Sequence, residues 1–308
     1  MKVAVTGGAG FIGSHVADEF LAAGYEVVVL DNFSTGKRDN VSAGIRVYDV
    51  DITTSALDEV FDQERFDIVS HQAAHMELRV SVEKPVFDAE QNVLGSLRVL
   101  EASRRTDVKQ VVLASTGGGL YGEQDVVPAP ESHPIRPTSP YGTAKRSMEL
   151  YADYYRRVHG LMTTCLRYTN VYGPRQNPFG EAGVIAIFLE KWLTGTVPVV
   201  YGDGSQLRDY VHVGDVAKAN LAAVETSTVG EYNISTGRGT SLLTVIDIMR
   251  EHLQCDTPIS FGPAKVGDIS ESVATSEAFQ RATSWRAEVP VENGIASTVE
   301  WFVSRHLA

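Results

Sequence analysis

Thr6-Gly7-Gly8-Ala9-Gly10-Phe11-Ile12-Gly13 decides the fold: glycines at 7, 10 and 13 join an apolar run, Lys2–Thr6, to an amphipathic stretch over residues 11–23. A strand that turns on glycine and opens at once into a helix lets a pyrophosphate approach the backbone closely. The helix amino terminus then offers unpaired N–H groups and the positive end of its dipole. Gly7, Gly10, Phe11, Ile12 and Gly13 are therefore candidate cofactor residues. A glycine motif alone is weak, but one placed directly after the first strand is specific. Asp31 ends the second apolar run, 18 residues after Gly13, where a carboxylate meets an adenosine ribose. Its charge opposes a 2′-phosphate and favours NAD, while Lys37 and Arg38 nearby leave NADP as the alternative.

Further apolar runs at 45–48, 67–70, 109–115 and 162–168 alternate with helical patterns at 57–64, within 85–105 and at 141–159. Continuous runs such as VVVL and VVLA suit strands buried on both faces. The alternation predicts a doubly wound parallel α/β sheet of the Rossmann type. A Pro/Gly-rich loop is expected from 117 to 140. Beyond Thr169 the loops NVYGPRQNPFGEAG and YGDGSQLRDY flank a helix near 184–194, and a helix over 291–302 closes the chain. Residues 1–169 read as an NAD-binding domain and 170–308 as a smaller substrate-binding lobe that returns some segments to the sheet.

The 308 residues carry 27 basic and 39 acidic side chains, a net charge of −12, which argues against nucleic acid as a partner. Cys165 and Cys255 are too few for a disulfide framework, and Cys165 reads as a small core residue. No run of about 18 apolar residues encodes a membrane span, and MKVAVTGGAG turns to glycine too soon for a signal peptide. A soluble cytoplasmic protein is expected. His71 and His75 stand four apart but follow a strand, so no metal site is expected, and no nucleophile elbow is present.

Tyr141 and Lys145, four apart at the start of a predicted helix, project from one face. A buried strand ending in Ser115-Thr116 precedes Tyr141 by 25 residues, counted from Thr116. A phenol beside an ammonium and a cationic nicotinamide is expected to fall from about 10 toward neutrality and to act as a general base.

With TGGAGFIGSH, DNFSTG, Asp51-Ile52, HQAA, Asn92-Val93-Leu94-Gly95, YGTAK, RYTNVYGPRQ and GDGSQLRDYVHVGDVA in this order, the chain resembles the extended short-chain dehydrogenases/reductases. Within them it is most similar to the nucleotide-sugar epimerases of the NAD-dependent epimerase/dehydratase family. The resemblance implies that Tyr141 takes the proton of a sugar 4-hydroxyl while C4 gives a hydride to NAD, with Lys145 on the nicotinamide ribose. It places Asp51 and Ile52 at the adenine, Asn32 and Ala73 elsewhere along the cofactor, and Asn92 near the nicotinamide half, the alternative for Asn92 being a buried structural residue. Asn170, Val184, Tyr201 and Arg208 fall to the substrate diphosphate and base; the alternative for Arg208 is a surface pair with Asp209. The catalytic hydroxyl is Thr116, with Ser115 as runner-up, and either could merely cap the strand end. Gly117, Gly118 and Gly119 stand where related dehydratases and decarboxylases carry acids, which leaves reversible oxidation at one carbon. The implied reaction is 4-epimerisation of a UDP-hexose, UDP-glucose to UDP-galactose. Another nucleotide sugar (a uronic acid or a pentose) and a non-catalytic dinucleotide sensor are the alternatives.

Two expectations follow from the same resemblance. Lys265 and Asp268 take the place of a diphosphate-binding Arg-Pro-Gly-Asp segment, and Ser272 stands where some relatives carry a bulky tyrosine, leaving room for N-acetylated hexoses. The helices within 85–105 and at 141–159 are expected to pair across a two-fold axis in a homodimer. Leu94, Leu97, Leu100, Met148 and Tyr155 would supply apolar contacts, unless these pack only on their own sheet.

Overall fold

The apolar runs assemble into one seven-stranded sheet in a computed structural model that describes residues 1–179, 183–254, 256, 258–264 and 269–307. Its strands are β1 (Lys2–Thr6), β2 (Glu26–Asp31), β3 (Arg46–Asp49), β4 (Ile68–His71), β5 (Gln110–Thr116), β6 (Met162–Tyr168) and β7 (Gly230–Ile234). All pair in parallel in the order β7-β6-β5-β4-β1-β2-β3. Strand order reverses between β1 and β4, and the crevice outside the carboxyl ends of those strands is where an open α/β sheet takes a ligand.

Helices cover both faces, as continuous apolar strands require. On one, Val16, Ala17 and Phe20 of the helix Phe11–Ala22 pack with Val216, Ala219 and Ala223 of Val213–Glu225. On the other, Leu57, Val60 and Phe61 of Ala56–Glu64 meet Val99 and Leu100 of Gly95–Arg105 and Met148 and Ala152 of Pro140–His159. A separate core joins Ile185, Phe188 and Trp192 to Val245, Ile246 and Met249 and to Ile295, Val299 and Phe302. Short ribbons bridge this core to the sheet: Asn170–Tyr172 beside Tyr210–His212, and Leu207–Arg208 between Thr240–Ser241 and Glu271–Ser272. Among the described residues no helix is long and apolar enough to cross a membrane.

Several elements differ from the sequence expectation. The single helix within 85–105 is Pro85–Ala89, a π-helical turn Glu90–Leu94, and Gly95–Arg105. The loop expected from 117 opens with a helical turn, Gly117–Leu120, capped by Thr116. Leu100, Met148 and Tyr155 are buried in the chain's own core, so they leave the set expected to face a second copy. Their stripe is the one that packs on the sheet.

Candidate active site

Sterics fix the turn after β1. Gly7 has φ +66°, and a Cβ there would lie 2.7 Å from Ala73 N; one on Gly13 would lie 2.1 Å from Gly7 O. Gly10 caps the helix Phe11–Ala22 with no side-chain bond, so no side chain screens the amino end of the helix. Asp31 Oδ2 accepts from Ala9 N at 2.9 Å and Oδ1 from Phe33 N at 2.8 Å. Burial lifts this carboxyl above its ordinary value against those two bonds.

A cavity of about 950 Å³ opens on this turn, bordered by Gly7, Gly10, Phe11, Ile12, Gly13, Asp31, Asn32, Asp51, Ile52 and Ala73. Asp51 closes the far end: Thr53 N and Oγ1 donate to its Oδ1 and Asn32 Nδ2 to its Oδ2. Burial alone would raise Asp51, and those bonds hold it below its usual value. A turn whose close backbone packing admits no Cβ at Gly7 or Gly13, with a carboxylate at the end of β2, fits a dinucleotide bearing a free 2′-hydroxyl. Lys37 borders the same cavity. Asn92 does not: its side chain accepts from His75 N at 2.9 Å and donates to His75 O at 2.8 Å and Asp88 Oδ1 at 2.9 Å. It holds the loop of the cavity wall that carries His75.

Tyr141 and Lys145 occupy the first turns of Pro140–His159, capped by Ser139 Oγ on Gly142 N. Lys145 Nζ lies 5.9 Å from the Tyr141 ring centre and donates to Ala114 O at 2.9 Å. Burial lowers Lys145 to about 8, against Cys165, Asp88 and Glu149. Burial raises Tyr141, and Asp88 adds to the rise; the fall expected from the sequence counts a cationic nicotinamide beside the phenol as well as Lys145. Thr116 Oγ1 accepts from Gly119 N at 3.0 Å, whereas Ser115 Oγ donates to the buried Glu149 Oε1 at 2.7 Å.

On the substrate side, Val184 begins the helix Val184–Leu193. Asn170 N donates to Asp209 O at 2.9 Å. Tyr201 borders a second cavity of about 360 Å³. Asp209 is fully buried, its carboxylate accepting from Thr236 and Gly237; Arg208 Nη1 donates to Leu207 O at 2.9 Å. Ser272 is buried, its Oγ 4.0 Å from where a Cβ on Gly118 would sit. Lys265 and Asp268 lie outside the described residues.

His71 is a buried residue at the end of β4 that the sequence left unassigned. Ser96 Oγ donates to Asn92 O, so His71 Nε2–H donates to Ser96 at 2.9 Å and Nδ1 accepts from Thr6 Oγ1 at 2.7 Å. Burial, aided by Lys145, lowers it to about 3, and a neutral imidazole pins the ends of β1 and β4. No group of three metal-ligating side chains occurs among the described residues.

The chain is similar over nearly its whole length to proteins of known structure. The UDP-glucose 4-epimerase of Thermotoga maritima, solved with UDP-glucose, superposes with a TM-score of 0.95 at 42% identity, covering 99% of each chain. That of Thermus thermophilus, solved with NAD, gives 0.92 at 44% identity over 98% of this chain and 99% of the other. The UDP-N-acetylglucosamine 4-epimerase of Methanobrevibacter ruminantium, in complex with UDP-N-acetylmuramic acid, gives 0.93 at 32% over 99% and 98%. A sequence model of one family matches residues 3–235, from β1 through β7. The chain belongs to the NAD dependent epimerase/dehydratase family.

Proposed function

We propose that this protein interconverts UDP-glucose and UDP-galactose by NAD-dependent epimerisation at C4, and accepts N-acetylated forms. The observation that carries the reading is the gathering of Tyr141, Lys145 and Thr116 at the carboxyl end of β5, where Lys145 bonds Ala114 O, on the same edge of the sheet as the glycine-turn cavity. The likeness to UDP-glucose 4-epimerases over nearly the whole chain supports it. NAD, when bound, accepts a hydride from the sugar and returns it, so no net redox occurs.

The chain's own residues divide the remaining work. Tyr141 takes the proton of the 4-hydroxyl and gives it back. Lys145, charged and buried, favours the phenolate, the ionised form a general base requires. Thr116 hydrogen-bonds the same hydroxyl, because Ser115 is committed to Glu149. Glycine at 117, 118 and 119 transfers no proton, so chemistry stays at one carbon. Residues 1–169 hold the dinucleotide, and the later residues, less β7, hold the nucleotide sugar through Asn170, Val184, Tyr201, Arg208, Lys265 and Asp268.

A cytoplasmic homodimer is part of the proposal, its pairing supported by the apolar face discussed below. Incubation with UDP-galactose without added NAD tests the reaction: UDP-glucose is the expected product, and its absence with NAD-loaded protein overturns the reading. Ser272→Tyr is expected to suppress UDP-N-acetylglucosamine turnover far more than UDP-glucose turnover, discrimination by exclusion. Equal slowing of both sugars removes Ser272 as the gate.

A further inference from the structure

The chemistry above leaves unused a buried charge on the helix that carries Tyr141 and Lys145. Glu149 stands four residues beyond Lys145, on the same face, and is 1% exposed. Its Oε1 accepts from Ser115 Oγ at 2.7 Å and Arg167 Nε at 2.8 Å. Its Oε2 accepts from Arg167 Nη2 at 2.9 Å and Arg146 Nη1 at 3.0 Å. Arg167, on β6, also donates to Tyr121 Oη at 3.1 Å, and Tyr121 donates to Asn233 on β7 at 2.6 Å. The carboxylate is fully used and cannot swing.

Adjacent residues of β5 are bonded to this one helix. Ala114 O receives Lys145 Nζ, Ser115 reaches Glu149, and Thr116 follows directly. A buried ion pair is weak evidence for stability, since desolvation offsets its attraction and apolar replacements are often neutral or better. Fixing geometry is what the arrangement does well.

We propose that Glu149 is a positioning residue: locked by Arg167, it holds Ser115 and so sets the end of β5, with Thr116, against Tyr141 and Lys145. This rests on the reading of those three residues given above. Ser115 then acts on the chemistry only through Glu149.

The test begins with Ser115→Ala, which removes the latch and keeps the Glu149–Arg167 pair. We expect kcat to fall about tenfold, as a small misplacement of a reacting group does, with KM for UDP-galactose and the NAD content of the protein unchanged. Glu149→Asp keeps the charge but shortens the reach, and should lose kcat similarly. Glu149→Gln, or Glu149→Gln with Arg167→Gln should the single variant not fold, removes the charge as well.

Lys145 provides a second readout. It is faced by Glu149 and Tyr141 on its own helix, Asp88 on Pro85–Ala89, His71 on β4 and Cys165 on β6. Its midpoint in cofactor-free protein, followed by NMR of ε-carbon-labelled lysine and assigned with Lys145→Arg, should drop in the Gln variants and stay in Ser115→Ala and Glu149→Asp. Parental kcat in Ser115→Ala, or a loss carried by KM, overturns the proposal; so does an unmoved midpoint in the Gln variants. Full activity of Tyr141→Phe would instead sink the underlying site reading.

Discussion

The Tyr141 phenol is raised by burial, whereas the fall expected from the sequence takes both an ammonium and a cationic nicotinamide beside the ring. The difference is one of direction in space: the Lys145 ammonium is bonded to Ala114 O and stands 5.9 Å from the ring centre. Lowering the phenol thus requires the cationic nicotinamide as well. Tyr141→Phe is expected to lose activity by about a hundredfold to ten-thousandfold, as for a general base, while keeping its NAD. Activity within twofold of the parent would remove Tyr141 from the chemistry. His71 yields a prediction of a different kind. Its folded value of about 3 lies below the ordinary 6.5, so between these the unfolded chain binds the proton and the folded chain does not. Stability therefore falls as pH drops from 6.5 toward 3, by up to about 1.4 kcal/mol per unit from this residue. His71→Gln should flatten the decline between pH 7 and 4.5 in denaturant titrations, and an unchanged slope would refute the assignment.

At the scale of elements, legibility followed local determinism. β1 is a short apolar run that ends on glycine and β6 is a strand buried along nearly its whole length after Gly160, and the bounds of both read directly from the chain. The turn after β1 is equally legible, because Gly13 answers a clash with Gly7 six residues before it and Gly7 itself has φ +66°. Gly13→Ala would drive a Cβ to 2.1 Å from Gly7 O, so the variant should purify without NAD and melt well below the parent; parental NAD content would show that the turn relaxes. The π-helical turn Glu90–Leu94, within which the Asn92 amide bonds His75 and Asp88, is hidden by a pattern that passes for one helix. β7 escaped notice because GEYNI opens on glycine and buries only Asn233 and Ile234, as an edge strand can. The Ser115–Glu149 bond spans 34 residues, a distance over which spacing carries no signal.

For the whole molecule, the open question is what covers the outer face of the helix Pro140–His159. Its inner stripe, Met148, Ala152 and Tyr155, is buried in the chain's own core. Leu150, Tyr151, Tyr154 and Val158 point outward and are at least 40% exposed, as are Val82, Val86 and Leu94 on the helical stretch that precedes β5. A monomer rarely leaves so many large apolar groups together in water. Burying each stabilises by roughly 1.5–3 kcal/mol before association entropy is set against it. Elements from one chain that each present an apolar face suit an isologous contact, in which the same patch serves both copies. The homodimer proposed above would keep its helices and exchange residues: Leu94 stays, Leu97 packs partly on the chain's own core, and Leu150, Tyr154 and Val158 replace Leu100, Met148 and Tyr155. Light scattering at micromolar concentration should give twice the 33.5 kDa of one chain. Leu150→Glu with Tyr154→Glu should return a single-chain particle, because two carboxylates buried against two more by symmetry cannot be desolvated without partners. A parent of one chain's mass at that concentration, or a double variant that stays paired, would show that this face is not the contact.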